Sequence, residues 1–261
     1  MSYTNSIETV SFVGSGNVAT HLALALFKAG IGIKSVFSPN KLNADEFAEK
    51  FKCQVVSDIT ETAKSIDMLI LAIPDSRVAE VCNSIPDNGT LVVHTSGINA
   101  MEALKSKSRY GVFYPLQTFS KERELDMKTV PFCLEANNNN DLQRMYELAK
   151  KISSNVHFVN SKKRKLLHLT AVMVSNFSNH LYHLSYDILE SGGVSFDFLK
   201  PLIQETASKV EEIHPHKAQT GPARRNDITT LEEHMKMLSQ FPEYQKVYKL
   251  LSEQIRKKFH E

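Results

Sequence analysis

The stretch Ile7-Glu8-Thr9-Val10-Ser11-Phe12-Val13-Gly14-Ser15-Gly16-Asn17-Val18-Ala19 decides the fold. Its apolar run at 9–13 predicts a strand, the two glycines a tight turn, and residues 18–29 an apolar-rich helix. The spacing G-x-G-x-x-A is what a dinucleotide needs from a strand-to-helix turn. Gly14 permits the turn, Gly16 lets the backbone approach a pyrophosphate, and Ala19 is small enough for close helix–strand packing. Unpaired N–H groups at the helix start, aligned with its dipole, attract the phosphate charge. Gly14, Ser15, Gly16, Asn17 and Val18 are therefore the expected cofactor cradle.

Strand and helix signals alternate through the first 160 residues. Residues 34–37 read as a second strand and 43–51 as a helix. Met68-Leu69-Ile70-Leu71-Ala72-Ile73 is a continuous apolar run closed by Pro74, the pattern of a central strand buried on both faces. A helix at 76–85 and strands at 90–93 and 112–114 follow, then strands at 130–135 and 156–159 around a helix at 141–152; the polar tract 137–140 reads as a loop. Such alternation implies right-handed crossovers and a parallel, doubly wound sheet.

From Ser161 onward strand signals vanish. Helical stretches cover 162–190, 195–213, 228–240 and 242–259, broken at Ser191-Gly192-Gly193, His214-Pro215-His216 and Phe241-Pro242. The expected architecture is α/β, a Rossmann-type doubly wound parallel sheet over residues 1–160 followed by an all-helical domain over 161–261.

Composition narrows the class. The 261 residues, 42% hydrophobic, suffice for one large or two modest domains. A net charge of +2 gives no electrostatic case for nucleic acid or an anionic membrane. The basic run Lys162-Lys163-Arg164-Lys165 reads as a solvated helix start or linker. Cys53, Cys82 and Cys133 have no metal-like or redox-like spacing, and His214 and His216 lack partners at ligand spacing, so no metal is expected. No apolar run is long enough to span a bilayer. With no signal-peptide pattern at the polar N-terminus, the expected setting is the cytoplasm.

The end of the second strand bears on cofactor choice. A dehydrogenase that uses NAD places Asp or Glu there to hold the ribose hydroxyls. This chain has Ser38-Pro39-Asn40-Lys41, with no carboxylate to repel an extra phosphate and with Ser38 and Lys41 able to bind it. NADP is favoured over NAD.

Ligands in open parallel sheets sit beyond the carboxyl ends of the strands. Ile73 and Pro74 leave the central strand there and are expected to touch the cofactor. His94-Thr95-Ser96-Gly97 places three hydrogen-bonding side chains at another strand end, with His94 a candidate acid and Ser96 either a cofactor contact or a cap. Tyr114-Pro115-Leu116-Gln117 follows a third strand, with Tyr114 and Gln117 candidate substrate contacts.

At about 100° per residue, Lys165, His168, Ser175, Asn176, Asn179 and Tyr186 share a broad face of the long helix. An imidazole and carboxamides can orient and protonate a carbonyl or imine while hydride arrives from a nicotinamide. His168 and Asn176 are therefore catalytic candidates, and Asn179 a substrate contact. Arg225, in the charged turn after Thr220-Gly221-Pro222, could clamp a carboxylate or phosphate. Asp227 suits the cap of the next helix.

Taken in order, Gly14-Ser15-Gly16-Asn17-Val18-Ala19, Ile73-Pro74-Asp75, His94-Thr95-Ser96-Gly97, Pro115-Leu116-Gln117-Thr118-Phe119, Ser175-Asn176-Phe177 and Thr220-Gly221-Pro222 resemble a family of Rossmann-like oxidoreductases with a C-terminal helical domain of unknown function. That family is distantly similar to pyrroline-5-carboxylate reductase, prephenate dehydrogenase and deazaflavin-dependent NADP oxidoreductases, and its helical part is similar to the 6-phosphogluconate dehydrogenase C-terminal type. The resemblance implies NADP binding, an interdomain active site and a homodimer formed through the helical domain. Two positions depart from its pattern: Tyr114 stands where His usually precedes Pro-Leu-Gln, and Asn226 replaces Gly in Arg-Gly-Asp.

The expected function is hydride transfer between NADP and a small carbonyl, imine or hydroxy acid. The alternative is a non-catalytic NADP-binding sensor or assembly protein. Whether His94, His168 and Asn176 converge separates the two.

Overall fold

The computed structural model describes residues 6–260; the polar stretch 1–5 read above lies outside the described residues. Two compact units divide after Asn176. The first contains an eight-stranded sheet in the order β3-β2-β1-β4-β5-β6-β7-β8. Its strands are β1 Thr9–Val13, β2 Gly32–Phe37, β3 Gln54–Val55, β4 Met68–Leu71, β5 Leu91–His94, β6 Tyr110–Pro115, β7 Phe132–Ala136 and β8 Val156–Phe158. Helices α1 Asn17–Lys28, α2 Lys41–Phe51, α3 Val78–Ser84 and α4 Asn139–Lys150 connect them.

Alternation along the central strands assigns each side chain to a face. Met68 and Ile70 of β4 join Phe12, Leu22, Leu26, Phe113 and Phe132 in one core. Leu69 and Leu71 join Val13, Val78, Cys82 and Val92 in the other. All four residues of β4 are fully buried, as the uninterrupted apolar run requires. β1 pairs in parallel with both β2 and β4. The chain therefore leaves β1 in opposite directions along the sheet, and the crevice at the carboxyl ends of β1 and β4 is the switch point where ligands bind in such folds.

The sheet is not wholly parallel. β7 runs antiparallel to β6, with Gly111 opposite Ala136 and Pro115 opposite Phe132. Segment 116–131 carries only a short 3-10 turn, Met127–Thr129, so no helix takes the chain to the opposite end of the sheet. Two smaller departures are the two-residue β3, and α4, which starts inside the tract read as a loop because Asn138 caps it by accepting from Asp141 N at 2.9 Å.

The last strand ends at Phe158, yet the first unit continues through α5 Ser161–Ala171 and into a π-helical turn, Val172–Phe177. The expected continuous α-helix over 162–190 is thus interrupted. A π turn bonds i to i+5, so the 100° count fails beyond it. Lys165 is exposed, while Asn179 and Tyr186 lie past the turn.

The second unit comprises α6 Ser178–Ser191, α7 Lys200–Glu212, the short α8 Pro215–Ala218 and α9 Pro222–Arg225, then α10 Ile228–Met237 and α11 Pro242–His260. Asp227 caps α10 by accepting from Thr230 N at 3.1 Å. Among the described residues only Leu184, Ala223, Leu231 and Leu238 are buried there, and α7 buries none. No described helix is long and apolar enough to cross a membrane.

Candidate functional site

Two glycines of the first turn do different work. Gly14 has φ +101°, and a Cβ there would lie 2.2 Å from the Ala72 carbonyl oxygen, so β1 and β4 leave no room for a side chain. At Gly16 a Cβ would meet nothing within 4 Å, so the backbone faces open space. α1 has no side-chain cap and no acid in its first turn. Ser15 is buried and donates its hydroxyl to Ser38 Oγ at 2.9 Å, tying the glycine turn to the end of β2. Open N–H groups, a close-approach glycine and two hydroxyls in place of a ribose-binding acid fit an NADP-type dinucleotide.

Other cradle residues are placed as follows. Asn17 is exposed, and its amide donates to the Phe119 carbonyl at 2.9 Å, so it anchors a loop as well as facing the cradle. Val18 and Ile73 are half-buried and Pro74 is exposed. Lys41 is exposed at the start of α2. Lys121 reaches the same helix turn, its ammonium donating to Asn43 Oδ1 at 3.5 Å. That second cation was invisible to sequence reasoning, because it arrives from a loop 78 residues away in the chain.

His94 is fully buried at the end of β5. Its Nδ1 accepts from Ser96 N at 3.1 Å, and its Nε2 donates to the Ala100 carbonyl at 3.4 Å. Burial first, then the nearby Arg164 charge, pushes its pKa down to about 4. The ring is neutral with both nitrogens committed to the turn, so the acid role expected of it has no free atom. Ser96 is also buried, and its hydroxyl accepts from Ile98 N and Asn99 N at 3.2 and 2.9 Å.

His94 and Ser96 shape a turn that presents Gly97 to α5. A Cβ on Gly97 would lie 2.4 Å from His168 Nδ1. At the same nitrogen, the Tyr114 hydroxyl and His168 Nδ1 share a 3.2 Å hydrogen bond. Burial, then Cys133 and Asp75 nearby, pushes the Tyr114 phenol up to about 12, so it keeps its proton. Tyr114, Gln117, His168 and Asn176 line one pocket of about 410 Å³, together with Ser175 of the π turn. Gln117 Oε1 accepts from Thr118 N at 2.8 Å. Asn179 is exposed on α6 and Arg225 exposed at the end of α9, both in the second unit.

Arg164 corrects the reading of the basic run as solvated. It is fully buried, paired with Glu135 at 2.6 Å, and donates to the Ser96 and Asn99 carbonyls at 3.2 and 2.5 Å and to Ser161 Oγ at 3.1 Å. One guanidinium thus fastens the first turn of α5, β7 and the loop after β5 together.

Residues 9–97 match a family described as NADP oxidoreductase, coenzyme F420-dependent, and residues 130–255 match a domain of unknown function, DUF2520. A candidate NADP oxidoreductase from Bacteroides fragilis is 39% identical over 97% of this chain and 99% of its own, with a TM-score of 0.91. A reductive aminase from Aspergillus terreus, solved with NADPH and ethyl-5-oxohexanoate, is 14% identical over 97% and 95% of the two chains, with a TM-score of 0.70. A pyrroline-5-carboxylate reductase from Coxiella burnetii is 16% identical over 96% and 99%, with a TM-score of 0.55. No curated protein matches the chain.

Proposed function

The chain belongs to the family that joins an NADP oxidoreductase domain of the coenzyme F420-dependent type to the DUF2520 domain, and from that premise we propose that it reduces a small carbonyl or imine with NADPH. The observation that carries the reading is the Gly97–His168–Tyr114 contact, which sets an imidazole and a phenol at the mouth of a small pocket beside a strand end. NADPH, when bound on the Gly14–Gly16 turn, supplies hydride. With Tyr114 donating to Nδ1, His168 carries its proton on Nε2, which has no hydrogen-bond partner among the described residues. That proton passes to the oxygen or nitrogen of the reduced group as Nδ1 takes the Tyr114 phenolic proton, and solvent reprotonates the phenolate; at rest Tyr114 holds the ring in the required tautomer. Asn176, exposed at the pocket and without a side-chain partner among the described residues, orients the substrate.

NADP is preferred to NAD on this reading because Ser38, Lys41 and Lys121 surround the place of a 2′-phosphate with hydroxyl and positive charge. Ser38→Asp puts a carboxylate against that phosphate and is expected to weaken NADPH binding by about 10- to 100-fold, with NADH little affected. Calorimetry with both cofactors checks this; an unchanged preference in the variant contradicts it.

The second unit is proposed to pair with a second copy. α7 is a 13-residue helix with no buried residue and with Leu202 and Val210 exposed, as is Ile213 just after it, and a helix of that length is marginal alone in water. Sedimentation is expected to give twice the 29.4 kDa chain mass. A 29.4 kDa particle at micromolar concentration contradicts the pairing.

A further inference from the structure

Resting on the oxidoreductase reading, we infer that the substrate is a small carbonyl or imine compound with no carboxylate or phosphate group. The 410 Å³ pocket that holds Tyr114 and His168 is lined by 12 residues, and none of them carries a fixed charge. Its polar groups are the Tyr114 phenol, His168, and the uncharged side chains of Gln117, Thr118, Thr170, Ser175 and Asn176.

The charges nearest to it do not supply an anion site. Arg164, the adjacent cation on α5, is fully buried and spends its guanidinium on Glu135, two carbonyls and Ser161. Lys165, next along the helix, is exposed and is not part of the lining. A carboxylate moved into such a pocket gives up hydration with no guanidinium or ammonium in return. A neutral C=O or C=N group meets no such penalty. The volume suits a five- or six-membered ring or a short chain.

The reduction balances with this chemistry. Hydride, with its electron pair, passes from NADPH to the carbon of the C=N or C=O bond; the π pair moves to nitrogen or oxygen and takes up one proton. An amine or alcohol and NADP+ leave.

The test compares two rings that differ only in a carboxylate, 1-pyrroline and pyrroline-5-carboxylate, as substrates followed by NADPH absorbance. Their reduced forms, pyrrolidine and proline, are titrated calorimetrically into the full-length protein saturated with NADP+. The neutral ring is expected to have the higher kcat/KM by about 100-fold or more, with pyrrolidine binding more tightly than proline. Val174→Arg places a guanidinium at the exposed edge of the lining, and is expected to narrow the gap by about tenfold. Equal or better handling of the carboxylated ring by the unaltered protein overturns the inference and leaves the oxidoreductase reading standing. No hydride transfer to either ring or to cyclohexanone, with NADPH bound, overturns both.

Discussion

Arg164→Ala is expected to destabilise the first unit by about 3–5 kcal/mol, the largest stability loss among single changes at the site. The residue has no exposed surface, so its partners cannot exchange it for water. Removing it strands Glu135, only 16% exposed, without its cation and leaves the Ser96 and Asn99 carbonyls without donors. Glu135 also accepts from the Ser161 backbone and hydroxyl at 3.0 and 2.7 Å, so the start of α5 loosens with it. A double change, Arg164→Met with Glu135→Gln, removes both charges and is expected to recover part of the loss. Urea denaturation of the three proteins checks this. A single variant within 1 kcal/mol of the parent is the contrary result, about one-third of the smallest loss expected.

His168→Ala is expected to lower kcat by about 10²- to 10⁴-fold while leaving the NADPH dissociation constant within about twofold. The ring contacts Gly97 and Tyr114, so its loss removes the proton donor without touching the Gly14–Gly16 turn. Gly97→Ala should reproduce much of the effect, because the added Cβ at 2.4 Å from Nδ1 must displace the imidazole. Tyr114→Phe keeps the ring in place but frees its tautomer, so an intermediate loss of about tenfold is expected. Single-turnover kinetics and fluorescence titration with NADPH separate the two parameters. A His168→Ala protein with unchanged kcat removes the proton-donor role.

The two changes also mark what sequence could and could not show. The glycine turn, the buried β4 run and the strand ends at Ser38, His94 and Tyr114 were legible because each depends on local pattern: φ, periodicity, or position after a strand. The antiparallel β7 was legible in principle, since no helical period separates Pro115 from Val130, and a parallel crossover needs one. What stayed hidden depends on partners distant in sequence. Arg164 looked solvated among three lysines because Glu135 and the Ser96 carbonyl, 29 and 68 residues away, are what bury it. His94 looked like an acid because its two acceptor and donor contacts within the turn are invisible before the turn is built. The π turn at Val172–Phe177 leaves no mark that helical periodicity detects, yet it carries Ser175 and Asn176 at the pocket.

The most direct test of the central claim is a crystal structure of the protein with NADP+ bound. The pyrophosphate is expected on the Gly14–Gly16 turn, the 2′-phosphate beside Ser38, and the nicotinamide ring at the Ser96–Gly97 turn. The face bearing C4 should open onto the pocket of Tyr114 and His168, leaving a reacting carbon within about 3–3.5 Å. A nicotinamide directed away from that pocket, or a cofactor bound elsewhere on the sheet, contradicts it.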